Sequence, residues 1–200
     1  MKTGLALLFL SMVLLFTGCT NSKQIDKASI AEGVTVNENN GKREYSFYLL
    51  SSKDTSEKIT VEAKSFRQAC ALAKEKYIPD LSLAKLEHFV INENLYKDVL
   101  KSDVEYISTQ AFFSPQIFVT LSDARSIENM GKEKEQSEKI EEQIILLRNK
   151  NKNLNISCLS IYNNFEDKDV KEFEIPCIST QNAMRADAKK IDKTEFISSD

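Results

Sequence analysis

The 200-residue chain carries 27 basic and 30 acidic residues for a net charge of −3, and the two signs are interleaved throughout. No face reads as a phosphate-binding stripe, which sets nucleic acid aside as a partner. Four cysteines with no CxxC pair and a single histidine give a zinc site or a disulfide-built fold little to stand on, so no metal or cofactor is expected.

Behind Lys2, an apolar run extends from Leu5 to Phe16. Twelve residues at about 1.5 Å each reach roughly 18 Å, well short of a bilayer core of about 30 Å. Residues 1–18 therefore read as the signal peptide of an exported protein. Phe16-Thr17-Gly18-Cys19 resembles a bacterial lipobox, in which the cysteine thiol is diacylated and the cysteine becomes the mature N-terminus. Two acyl chains give stable anchoring, so membrane lipid is the expected partner of Cys19 and residues 19–27 the tether. The alternative is a secreted protein with a free Cys19.

Ala28 to Val36 places Ile30, Val34 and Val36 on one parity, as a half-buried strand would. Asn37 to Gly41 is a turn signal, and Glu44 to Leu50 and Glu57 to Lys64 are β-rich, so three strands are expected, the first two as a hairpin. Ser65 and Gln68 fit a capping box, and Phe66, Ala69, Cys70, Ala73 and Tyr77 form the buried stripe of a helix that Pro79 stops. Ala84 to Ile91 reads as a strand. It is followed by a short helix over Leu95–Leu100 and a second helix, capped by Ser102 or Asp103, to about Gln110. Gln116 to Leu121 is strongly β, and Ser122 or Asp123 caps a short helix ending near Gly131.

From Lys132 the composition turns to mixed charge, with Ile140, Ile144 and Leu147 as the apolar stripe of a solvated helix. Leu154 to Ile161 alternates as a strand, and Val170 to Ile175 alternates again. The segment from Ser179 onward is polar, with only Phe196-Ile197 as a late strand hint. The expected fold is α+β, a mixed, mainly antiparallel sheet packed with helices. Residues 28–131 form an N-terminal α+β domain in this reading, and 132–200 a helix plus the start of a second, incomplete α/β region.

No phosphate-loop, dinucleotide, nucleophile-elbow, zincin or EF-hand pattern occurs. His88 shares its strand parity with Leu86 and Val90, which favours a structural role over catalysis. Among Cys70, Cys158 and Cys177 at most one disulfide can form, and Cys158–Cys177 is the only pair close in sequence; buried thiols are the favoured alternative. The candidate partner surface lies at the turns around Asn92, Glu93 and Asn94 and around Gln116. Tyr96, Phe112 and Phe113 flank these turns as candidate aromatic anchors, and filling the core is an equal alternative for Phe112 and Phe113.

The segment Leu86-Glu87-His88-Phe89-Val90-Ile91-Asn92-Glu93-Asn94-Leu95 resembles the strand-then-helix segment of the Ger(x)C spore germination lipoproteins, the C subunits of germinant receptors. The capped helix before it, Ser102 to Tyr106 and Gln116 to Thr120 after it, the lipobox and Ile175-Pro176 are similar to that family in the same order. Thr20-Asn21 and Lys101-Ser102 depart from its usual residues. The resemblance covers the family's N-terminal portion, about residues 15–180. It implies a non-enzymatic lipoprotein on the outer face of the spore inner membrane, assembling with multi-span membrane protein subunits of a germinant receptor. The alternatives that composition leaves open are an extracytoplasmic binding lipoprotein for a solute or envelope component, and an envelope enzyme.

Overall fold

The computed structural model describes residues 29–50, 57–130, 135–179 and 185–196. The signal peptide, Cys19 and the tether lie outside these residues, as do Ile197 and the side chain of Ile140.

Strands β1 (Ala31–Asn39) and β2 (Lys42–Leu49) form the expected hairpin. Its two turn residues, Asn40 and Gly41, both have positive φ, at 52° and 73°. Two such residues in a row make the tight turn whose twist matches that of the strands it joins. Strand β3 (Glu57–Glu62) pairs with β2, and helix α1 (Phe66–Lys76) follows. Next come β4 (His88–Asn92), α2 (Tyr96–Thr109), β5 (Phe118–Ser122), α3 (Ala124–Met130), α4 (Glu135–Lys150) and α5 (Cys158–Glu166). Strands β6 (Glu172–Ser179) and β7 (Arg185–Asp192) and a 3-10 turn (Lys193–Phe196) complete the described chain.

All seven strands belong to one mixed sheet in the order β3-β2-β1-β4-β5-β6-β7. The fold is α+β. The centre, β1-β4-β5-β6, is parallel, and both flanks are antiparallel with the longer ladders. The sheet crosses the boundary expected at residue 131, because Leu121 and Ser122 of β5 pair with Cys177 and Ile178 of β6.

Helices cover both faces. Helices α1, α2 and α5 pack on the larger core with Val36, Phe47, Phe89, Leu121 and Ile175. On the other face, Ile127 of α3 and Ile144 of α4 pack with Val90 and Ile178. All five residues of β4 are consequently buried, as a strand covered on both faces requires. Phe66 is the hub of the larger core, with its ring 5.0 Å from Phe89, 5.8 Å from Phe113 and 6.1 Å from each of Tyr45, Phe47 and Tyr106.

Helix α1 begins as its cap predicts. Ser65 Oγ accepts from the Gln68 N–H, and Gln68 Oε1 accepts from the Lys64 N–H. Ala69, Cys70 and Ala73 are buried, but Tyr77 is the C-cap residue and 56% exposed, because the helix ends before its stripe completes another turn.

Three sequence expectations are corrected. The two helices placed between Leu95 and Gln110 are one, α2, and Asp103 lies buried inside it. The run Leu154–Ile161 is not a strand: Ser157 Oγ accepts from the Ser160 N–H and opens α5. Its apparent alternation joined the bridge residue Leu154 and the buried Ile156 to Cys158, the first buried position of that helix. The polar late segment forms β7 and brings Phe196 into the core against Phe165, 5.1 Å away, and Tyr96, 6.0 Å away. An edge strand with few apolar positions carries little hydrophobic signal. The three cysteines Cys70, Cys158 and Cys177 are free.

Candidate functional site

The turn from β4 into α2 is shaped by Asn92. Its side chain donates to Asn37 Oδ1 at 2.6 Å, and its own Oδ1 accepts from the Asn94 N–H at 2.9 Å. The first bond ties the end of β4 to β1, and the second folds the chain into the next helix. Asn92 is buried and braces the interior. Glu93 and Asn94 remain accessible, with Glu93 Oε2 3.8 Å from Lys189 Nζ.

Tyr96 is also buried, so neither Asn92 nor Tyr96 offers a partner the surface expected of it. The Tyr96 hydroxyl donates to Glu195 Oε2 at 2.6 Å, and Lys97 Nζ stands 3.2 Å from Glu195 Oε1. Lys189 Nζ lies 4.6 Å from the centre of the Tyr96 ring, within cation–π range. Tyr96 thus joins α2 to β7 and to the 3-10 turn. Sequence reading missed Glu195, Lys97 and Lys189, since only the fold brings residues about a hundred positions apart into contact.

Gln116 is exposed but lies elsewhere. Strands β4 and β5 are parallel, with His88 opposite Phe118 and Asn92 opposite Ser122. Gln116 precedes β5, so at least the length of that strand, about 13 Å, separates it from the Asn92–Asn94 turn. The two turns expected to form one candidate surface stand at opposite ends of the sheet. Of the flanking aromatics, Phe113 is buried and Phe112 is 50% exposed, their rings 4.4 Å apart.

Gln116 lines a cleft of about 680 Å³ with Arg148, Lys152, Ser157, Asn164 and Glu174. The cleft is polar and open to solvent. Several of its charges are already engaged: Lys190 pairs with Glu172 at 2.6 Å, and the Asn151 side chain donates to Glu174. It could hold a small polar solute by hydrogen bonds.

The groups most able to do chemistry are committed to the interior. Asp103 Oδ2 accepts from the Tyr45 hydroxyl at 2.7 Å, and Oδ1 accepts from the Phe66 N–H at 3.0 Å. Burial raises the Asp103 pKa, against the pull of those two donors and Arg43. This carboxyl caps the first residue of α1 from another helix, where an anion also meets the favourable end of the dipole. Burial pushes the thiols of Cys70 and Cys158 up to about 12, far from the thiolate a nucleophile needs. His88 is buried, stacks on Phe118 with ring centres 5.7 Å apart, and leaves Nδ1 without a hydrogen-bond partner. Burial lowers its pKa to about 4, so the imidazole is neutral near pH 7. Among the described residues no three His, Cys, Asp or Glu side chains gather to hold a metal ion.

Compared with known protein families, residues 21–180 match the family described as spore germination protein N-terminal domain. No curated protein and no solved structure matches the chain.

Proposed function

The chain belongs to the family of the spore germination protein N-terminal domain, and from that premise we propose that it is a membrane-anchored, non-enzymatic subunit of a spore germinant receptor. In this reading Cys19 carries the lipid, and the protein stands on the outer face of the spore inner membrane. There it assembles with multi-span membrane subunits and supports nutrient-triggered germination. The observation that carries the reading is the family match over 21–180, which begins two residues after the lipobox cysteine. The interior commitment of Asp103, His88, Cys70 and Cys158 supports a role without turnover. Anchoring confines the protein to two dimensions, so a small interface can be occupied through effective concentration alone.

The test is a pull-down from spore membranes with the lipidated protein as bait, beside germination assays of a deletion strain complemented by the wild type or by Cys19→Ala. Recovery of a multi-span subunit, and loss of nutrient-triggered germination with Cys19→Ala, are expected. Full germination of the deletion strain would overturn the reading. The polar cleft beside Gln116 favours one alternative, a binding lipoprotein for a solute. Thermal stabilisation by a small polar solute, lost in Gln116→Leu, would mark that role.

A further inference from the structure

We propose that the end of the sheet at which the parallel strands begin rests on the phospholipid surface, with Leu50, Tyr77, Phe112 and Leu159 in the headgroup layer. The proposal rests on the lipid-anchor reading of Cys19 and goes beyond it by assigning an orientation.

Topology brings these four side chains together. The described chain enters at Ser29, and Ile30 bridges to Ser82 at the start of β1. The Leu50 N–H donates to the Ile30 carbonyl at 2.7 Å, which places the end of β2 there as well. Strand β3 runs in the direction of β1, so α1 starts at the far end and returns, and its C-cap Tyr77 lies just ahead of the Ser82 bridge. Phe112 lies in the turn that leads into β5, parallel to β1 through β4. Leu159 is in the first turn of α5, where its N–H meets the Pro115 carbonyl at 3.5 Å and Ser157 bridges Phe118.

These residues are 41%, 56%, 50% and 38% exposed in the same order. Exposed apolar side chains scattered singly need no explanation, but four at one end do. The other two large exposed hydrophobics among the described residues, Ile145 and Leu146, lie on α4, and none lies at the opposite end. That end instead presents Asn39, Asn40, Lys42, Glu62 and Asn94, with Lys42 paired to Glu62 at 2.8 Å.

The place of chain entry selects the occupant. Only nine residues separate Cys19 from Ser29, a reach of at most about 35 Å when fully extended. A lipid on Cys19 therefore brings the apolar end down first, and aromatic and aliphatic tips suit the boundary between headgroups and acyl chains. Lysines 74, 76 and 152 and acids Glu75 and Asp80 share this end, so insertion of the apolar tips, more than charge, sets the contact.

The chain contains no tryptophan, so each single-Trp variant carries its own reporter. Lipidated, full-length Tyr77→Trp, Phe112→Trp and Asn94→Trp would be reconstituted on phosphatidylglycerol–phosphatidylcholine vesicles with and without brominated acyl chains. The first two are expected to shift their emission to the blue and lose most of it to bromine, and Asn94→Trp to do neither. Flotation of the same variants reports the anchor separately. Floating protein with unquenched Tyr77→Trp and Phe112→Trp, or with Asn94→Trp quenched equally, would overturn the orientation alone. If no variant floats, the anchor reading fails, and the orientation with it.

Discussion

The two flanks of the sheet are held by different physics. On the early flank, β3-β2-β1 and α1 close around Phe66, with five aromatic rings and a buried carboxyl completing the site. On the late flank, β6, β7 and the 3-10 turn contribute Phe173, Ile175, Ile191 and Phe196 to the same core. Besides the ring contacts of Phe196 and Phe173 with Tyr96 and Phe165, that flank is joined outward by polar pairs, Tyr96 to Glu195, Lys97 to Glu195 and Lys189 to Glu93, and Lys190–Glu172 ties its own two strands. Exposed ion pairs contribute little and weaken with salt, whereas a filled aromatic core is insensitive to it. The late flank is thus expected to respond more to salt, and the early flank more to the loss of a ring from the core.

The largest expected effect breaks the early flank. Phe66→Ala empties the hub and should cost about 3–5 kcal/mol, read by urea denaturation. A loss below about 1 kcal/mol would show that the rings repack and that the flanks do not differ in this way.

Acid should sharpen the same contrast through His88, which stands in β4 between the flanks. Its folded pKa of about 4 lies below the unfolded value of 6.5, so the unfolded state takes up the proton first. Stability from this group is complete above about pH 6.5, falls as pH drops towards 4 and then levels off, a change of about 3 kcal/mol. Asp103 works in the opposite direction. Its folded pKa is raised by burial, so its contribution is greatest at low pH and is lost as pH rises through that value. In a pH series of melting temperatures, His88→Gln should flatten the slope between pH 6.5 and 4. An unchanged slope would assign the acid sensitivity elsewhere.

Asp103→Leu leaves the Phe66 N–H and the Tyr45 hydroxyl without their acceptor. A loss of about 1–3 kcal/mol is expected, with Asp103→Asn milder because one acceptor survives. The smallest effect belongs to the late flank. Tyr96→Phe removes one hydrogen bond to an exposed carboxylate and should cost about 0.5–1.5 kcal/mol, with a difference from wild type that shrinks in high salt. A cost equal to that of Phe66→Ala would erase the distinction between the flanks.

Local signals were legible wherever one neighbouring turn of chain decides the structure. The Asn40-Gly41 hairpin, the Ser65 cap with its stripe through Ala73, and the β runs of β1 to β5 could all be read from residue spacing. The burial of His88 was expected from strand parity, but every residue of β4 is buried because helices cover both faces, so parity did not decide it. The accessibility of Asn92 and Tyr96 was not legible, because a polar turn looks alike whether or not a later segment packs over it.

By itself the sequence determined the α+β class, the family and the positions of the early elements, since period, capping and turn chemistry act over a few residues. Only the tertiary structure decided the rest. It made Asp103 the remote cap of α1, merged two expected helices into α2, and drew the polar stretch after Ser179 into β7. It also set Gln116 and Asn94 at opposite ends of one sheet. Each of these depends on partners far away in the chain, and no local period records which strand a residue will meet.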